Sequence, residues 1–280
     1  MRVRNILVIL LLILIVGGLG IKFVSNVRNL ANRTQCQNNL KWIGMGLRNY
    51  HDTFRFFPAA TVPNDALPSN KRLSWVTQVW PAFMSDCESL LDKSKAWDDE
   101  TNNPPRCRVY AKSSQATWDL QERDLRDFLC PANPARGDPS LPGPTHYVGI
   151  AGLGENAAEL PLSDPRAGFF GFERKLSLPD IKDGAATTMA VTEVMNGGPW
   201  TAGGWATVRG LIADDQPYVG MRGQFGSMHW GGGAFTVSRP VAINVLFADG
   251  SVRPITAPVS AEVFEALATV AGGEHVDKLP

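Results

Sequence analysis

The first fifty residues combine two patterns of apolar positions, and the first is an uninterrupted run. Residues 6–21 are apolar apart from three glycines and carry no charge, with Arg4 before them and Lys22 after them. A helix rises 1.5 Å per residue, so this run is about 24 Å long, close to the thickness of a bilayer core. The pattern predicts a transmembrane anchor over residues 1–24. A cleaved signal peptide is the alternative, although the run exceeds the usual apolar core of about 7 to 15 residues.

The second pattern is a stripe of apolar residues at helical spacing. Cys36, Leu40, Ile43, Leu47 and Tyr50 follow one another at intervals of three or four residues. Such spacing places them on one helix face, which needs a surface to cover it. The stripe predicts a stem helix over 25–52 that packs its last turns against a globular body. Residues 25–39 are polar on nearly all sides, which predicts a solvated neck.

Residues 53–280 form that body. From residue 147 onward, short apolar segments alternate with glycine-containing turns, which predicts an antiparallel sheet. The predicted strands lie at 187–195 and 207–213, followed by a hairpin at 241–255 around Asp249-Gly250.

Two further features of the body complete the fold prediction. Ser260 is expected to cap a last helix over 261–271, while the charged, proline-interrupted segment 84–128 is interpreted as an insertion. The predicted fold class is α+β, with a long N-terminal helix, comprising anchor and stem, packed on an antiparallel β-sheet.

Several segments resemble a known family. The stretch Cys36–Asp52 followed by Phe57-Pro58, the pair Cys130-Pro131, and a C-terminal block with His229 before Asp249-Gly250 resemble prepilin-like proteins of domain-of-unknown-function family 1559, planctomycete type. The resemblance covers nearly the whole chain and implies a pilin-like fold.

The chain departs from the pattern of this family at two places. Residues 4–9 replace the usual prepilin cleavage signal with a degenerate one, and neither its glycine nor its membrane-embedded glutamate is present. In the C-terminal block, residues 233–240 lengthen the spacing from His229 to Asp249 and indicate an inserted loop. The first departure bears on filament assembly, because that buried glutamate is thought to guide it in pilin-like proteins.

Charge and motifs exclude several functions. The chain carries 27 basic and 27 acidic residues, so it presents no electrostatic basis for binding nucleic acid. It contains no phosphate-binding or dinucleotide-binding motif and no Gly-x-Ser-x-Gly elbow. A non-enzymatic protein without a cofactor is predicted.

The four cysteines are the first candidates for specific chemistry. In an oxidising compartment, Cys87 could pair with Cys107 across a polar loop, and Cys36 with Cys130, tying the stem to the body. Free buried thiols are the alternative. A zinc site is a third interpretation, but the chain lacks a Cys-x-x-Cys pair.

A cation site could also form from His229, Asp249 and Glu193. The alternative, which we favour on sequence grounds, is that Asp249 occupies the hairpin turn and His229 hydrogen-bonds to the backbone. No metal is therefore predicted.

Three tryptophans in glycine-rich surroundings suggest a second function. Trp200, Trp205 and Trp230 could present flat faces to a glycan or another macromolecule, although such residues are also common in cores. The main expectation is a single-pass protein of the bacterial inner membrane whose body lies outside the cytoplasm. It would act as a pilin-like or pseudopilin-like envelope or surface component. Its expected partners are the lipid bilayer, other pilin-like subunits or envelope polysaccharide.

Overall fold

The computed structural model describes residues 2–79, 91–102, 125–135, 137–138, 140–230 and 241–273. Its helices and strands, in chain order, are α1 (Arg2–Phe54), α2 (Val76–Val79), β1 (Tyr147–Leu153), β2 (Met189–Glu193), β3 (Val208–Leu211), β4 (Ala242–Phe247), β5 (Val252–Thr256) and α3 (Ala261–Ala266). The protein is therefore α+β, as the sequence predicts.

The long helix α1 continues through the predicted anchor and stem without interruption. Its 53 residues correspond to a length of about 80 Å. The helix ends at Phe54, two residues later than predicted. Arg55 then takes a left-handed φ of 68° and donates its N–H to the His51 carbonyl at 2.7 Å. A residue in this conformation stops the helical hydrogen-bond pattern.

The five strands form one sheet in the order β3-β1-β2-β4-β5. The pairs β1–β2, β2–β4 and β4–β5 are antiparallel, and the predicted hairpin is confirmed as β4–β5, with Gly250 at a positive φ in its turn. The pair β1–β3 is parallel, so the prediction of a purely antiparallel sheet is wrong. Alternating apolar residues indicate where strands lie. They do not indicate whether two distant strands pair in parallel or antiparallel fashion.

Both faces of the sheet are covered. On one face, Leu40, Ile43 and Leu47 of α1 belong to the same buried cluster as Leu246 of β4. On the other face, Ile243 of β4 packs in a second cluster, together with Phe264 of α3. This explains why β4 is buried at every position, since successive side chains of a strand point to opposite faces. The last helix ends at Ala266, earlier than predicted, and Ser260 caps it by accepting the Val263 N–H.

The polar section of the stem is not a solvated neck. Asn26, Asn29 and Asn39 are buried, and each lies on the face that carries Cys36 and Leu40. Asn29 exchanges hydrogen bonds with the backbone of Trp230 at 3.4 Å, while Asn39 donates to the Leu129 carbonyl at 3.1 Å. The body therefore covers the helix from residue 26 onward, about three turns earlier than the apolar stripe indicates.

Two predicted regions lie wholly or largely outside the described residues. The insertion at 84–128 is described only at 91–102 and 125–128, and the inserted loop at 233–240 is not described. Within the described residues, no helix is long and apolar enough to cross a membrane. Most side chains of the predicted anchor, 1–24, fall outside that description, so the anchor remains a prediction from the sequence.

Candidate functional site

Four chemically reactive side chains meet where α1 joins the body. The sulfurs of Cys36 and Cys130 each lie 3.2 Å from Nε2 of His229, and Oε1 of Glu193 lies 3.5 Å from the same nitrogen. All four donor atoms lie within 4.8 Å of one another. We call this group the Cys-Cys-Glu-His cluster. Its members are at most 3% exposed, so the cluster is closed to solvent.

Each member comes from a different part of the chain. Cys36 lies on the buried face of α1, and Cys130 follows a short 3-10 helix at Arg126–Phe128. Glu193 is the last residue of β2, near the middle of the sheet. His229 precedes β4 in the chain, and its carbonyl accepts the Ala242 N–H at 3.2 Å. The cluster therefore joins the long helix to three segments of the body.

Hydrogen bonds fix the carboxylate of Glu193 from one side only. Oε2 accepts the backbone N–H of Asn244 at 2.6 Å and its side-chain amide at 3.1 Å. Oε1 is buried, makes no hydrogen bond within the described part of the chain, and faces His229. A buried carboxylate oxygen without a hydrogen bond is unfavourable. The arrangement thus leaves one oxygen directed at the two sulfurs and the imidazole.

A second histidine positions Cys130 through the backbone. Nδ1 of His146 accepts the N–H of Cys130 at 2.9 Å, so this nitrogen carries no proton. Nε2 of His146 must then hold the proton and donate it to the Ala135 carbonyl, which is 3.2 Å away. His146 is fully buried, and its neutral tautomer fixes the loop that presents the Cys130 sulfur.

Burial and close contacts within the cluster shift the pKa values of its members. The hydrogen bond with Cys36 lowers the pKa of the Cys130 thiol to about 6; burial opposes this shift, and His229 reinforces it. The hydrogen bond with Cys130 and burial both raise the pKa of Cys36. Burial lowers the pKa of His229, but the contact with the Cys130 sulfur and the nearby charge of Glu193 outweigh it and raise the pKa to about 9. The two shifts act in the same direction, favouring loss of the proton from Cys130 and its retention on His229.

A thiolate next to a histidine also occurs in cysteine nucleophiles, but the geometry here differs. In a catalytic triad, the acidic residue holds the imidazole nitrogen opposite the nucleophile. Glu193 instead faces Nε2, the nitrogen that both sulfurs contact, while Nδ1 has no hydrogen-bond partner among the described residues. The sulfurs are also too deeply buried to meet a substrate. The four donor atoms instead lie within 4.8 Å of one another, as the ligands of one metal ion do.

The structure brings together two of the three predicted cation ligands. Glu193 and His229 are neighbours, but Asp249 lies in the exposed β4–β5 turn, where its carboxylate accepts the Ser251 N–H at 2.8 Å. The interpretation of Asp249 as a turn residue is confirmed. The favoured interpretation of His229 was wrong, because its ring contacts side chains rather than the backbone.

The predicted cysteine pairings have different outcomes. Cys36 and Cys130 are brought together as expected, but the structure describes both as free buried thiols rather than as a disulfide. Cys87 and Cys107 lie outside the described residues. The sequence gives no sign that the Cys36–Cys130 pair meets Glu193 and His229, because the four residues are far apart along the chain and have no metal-binding spacing.

The three tryptophans do not share one environment. Trp200 is buried in the core, with 2% of its surface exposed. Trp230 is half-buried against α1, where its backbone bonds Asn29, and Trp205 is exposed. A binding surface that uses all three aromatic faces is therefore incompatible with the structure.

Comparison with known proteins gives one family. The model of the family described as "Protein of unknown function (DUF1559)" matches residues 25–262, a range that contains the docked stem, the whole sheet and the Cys-Cys-Glu-His cluster. No curated protein and no solved structure matches the chain. Since the family model matches well over half of the 280 residues, the chain belongs to the DUF1559 family.

Proposed function

We propose that the protein is a non-enzymatic, membrane-anchored component of the bacterial envelope, pilin-like or pseudopilin-like, with its body outside the cytoplasm. One observation carries the proposal: the part of α1 that precedes the docked stem exposes large apolar side chains. The exposed residues are Leu10, Leu11, Ile13, Ile21, Phe23 and Val24. Exposed apolar surface of this kind calls for a covering partner.

A lipid bilayer fits this surface better than a protein groove. The apolar residues occur on all sides of the helix, because Leu10, Leu11 and Ile13 differ by about 100° per residue around its axis. A docking groove would cover only one face. The uncharged run at 6–21, flanked by Arg4 and Lys22, has the composition and length that bilayers accept.

The docked part of the chain supports a structural role. The Cys-Cys-Glu-His cluster lies between the helix and the body and is closed to solvent. A cluster of this kind has no room for a substrate. Its position suits a joint that holds the helix to the body. The body would then be carried at a fixed angle on its stem, as part of a secretion or pilus-type assembly.

Charging the exposed apolar helix tests the anchor. The variant Leu11→Lys/Ile13→Lys places two charges in the predicted bilayer centre, at a cost of about 2.5 to 3.5 kcal/mol each. We expect the unaltered chain to stay in the membrane pellet after an alkaline wash and most of the variant to leave it. The control Met45→Lys/Met221→Lys adds the same charge at exposed positions of the docked helix and the body.

The pellet assay has a clear contrary outcome. If the unaltered chain leaves the pellet in the alkaline wash, or if the helix variant is retained as firmly as the control, the bilayer is not the partner of this helix. Mechanical shearing of intact cells then separates the remaining alternatives, because a filament subunit is released with the filament while a separate anchored protein remains with the cells.

A further inference from the structure

The donor atoms of the Cys-Cys-Glu-His cluster form a recognisable ligand set. Two cysteine sulfurs, one imidazole nitrogen and one carboxylate oxygen are the donor types that bind zinc in proteins, and four protein ligands without an open position characterise structural sites. Softer cations prefer thiolates alone, and magnesium or calcium prefer oxygen donors. The composition of the cluster thus selects zinc among the common cations.

The distances within the cluster are close to those of a tetrahedral zinc site. Zinc binds sulfur at about 2.3 Å and nitrogen or oxygen at about 2.0 to 2.2 Å, so neighbouring ligand atoms lie about 3.3 to 3.8 Å apart. The two sulfur–nitrogen distances are 3.2 Å, and the nitrogen–oxygen distance is 3.5 Å. Small adjustments of side chains would place one ion within bonding distance of all four donors.

The unpartnered Oε1 of Glu193 is a separate indication of a ligand. This atom is buried in a residue that is 1% exposed, and it points into the cluster without a hydrogen bond among the described residues. Its partner oxygen, Oε2, is held by Asn244, as outer groups orient the ligands of metal sites. A cation at the centre would satisfy Oε1 and both sulfurs at once.

We propose that Cys36, Cys130, Glu193 and His229 bind one zinc ion that fastens the long helix to the body. In the bound form both cysteines are thiolates, the imidazole is neutral and Glu193 is a carboxylate, so binding releases the protons that the free cluster held. Two thiolates and a carboxylate against a divalent ion leave one net negative charge. Arg33, on the same helix and half-buried, interacts electrostatically with Glu193 and offsets this charge.

A Cys36–Cys130 disulfide is the competing use of the same atoms. A disulfide would remove both thiolates and leave Glu193 and His229 without a shared partner. Zinc and the disulfide therefore exclude each other. The zinc site goes beyond the proposed function and does not rest on it, since a joint between helix and body serves the chain whether or not its first residues lie in a membrane.

Metal analysis of the full chain tests the site. The protein is purified in detergent with a thiol reductant and without chelators, and its metals are counted by mass spectrometry. We expect one zinc per chain, falling to about a tenth or less in Cys130→Ser and in His229→Ala. The matched control is Asp249→Asn, which changes the sequence-predicted ligand that lies in the turn and should keep its zinc.

Measurement on the unaltered chain avoids variants that fail to fold. X-ray absorption at the zinc edge should show two sulfur neighbours at about 2.3 Å and two nitrogen or oxygen neighbours at about 2.0 to 2.2 Å. Three results would overturn the proposal: a first shell without sulfur, stoichiometric iron or copper instead of zinc, or a linked Cys36–Cys130 peptide in metal-free chain that is extracted from cells without reductant. None of these results bears on the membrane anchor, which the pellet assay tests separately.

Discussion

At the scale of single residues, Glu193 and His229 lie 3.5 Å apart although they come from separate segments of the body. Asp249 was predictable as a turn residue because Asp-Gly between apolar runs is a local signal. Glu193 and His229 were visible as candidate ligands but not as neighbours, and Cys36 was attributed to an apolar stripe. Their meeting depends on the docking of α1 against the sheet and on the backbone pairing that places His229 beside β4. No short-range pattern encodes that geometry.

The carboxylate of Asp180 gives a prediction at this scale. It accepts hydrogen bonds from the N–H and hydroxyl of Ser177 at the start of the short helix Leu178–Asp180. The hydroxyl bond is the larger cause of its lowered pKa; burial opposes the shift, and the backbone bond adds to it. Because the folded pKa lies below the unfolded one, the stabilisation is full above the unfolded value. It is lost as the pH falls through the folded value.

The variant Asp180→Asn should therefore lose about 1 kcal/mol of unfolding free energy at neutral pH, as helix-capping residues typically do. Urea denaturation at pH 7 and at pH 3 measures the difference, which should shrink at the lower pH. Asp65→Asn, at an exposed position, is the control. An equal loss for Asp180→Asn at both pH values would show that the ionised carboxylate is not the cause.

At the scale of elements, the stem was predicted better than its surroundings. The stripe from Cys36 to Leu47 is buried as its spacing indicated, and the helix is continuous. The prediction that the preceding asparagines are solvated is wrong. A polar side chain in a sequence gives no sign that its partner is a buried backbone group. The parallel β1–β3 pair was missed for a related reason, since strand direction is set by long-range topology.

Because the stem is docked on one face only, substitutions at two positions of α1 should affect stability differently. Leu40 is fully buried, whereas Met45 on the same helix is 46% exposed. Leu40→Ala should lower the unfolding free energy by about 2 to 5 kcal/mol, because it opens a cavity between helix and sheet. Met45→Ala should change it by about 0.5 kcal/mol or less. Chemical denaturation of both variants measures this contrast, and similar effects for the two would contradict the docking described here.

At the scale of the whole molecule, the α+β class and the family were predictable from the sequence. The four segments of the Cys-Cys-Glu-His cluster all fall within the range that the DUF1559 model matches. A pilin-like arrangement and a prepilin-type origin remain predictions. The molecule combines a long helix, docked over its second half, with apolar residues exposed over its first half. One helix is thus divided into a displayed part and a docked part.

The mass of the N-terminal peptide, taken from chain recovered in alkaline-washed native membranes, tests this division of the helix. We predict a peptide that begins at or near Met1 and retains the apolar run at 6–21, because the run is what holds the chain in the bilayer. A chain recovered outside the membranes with its start near Ile21 would contradict the account, since the exposed half of the helix would then be a removed signal rather than an anchor.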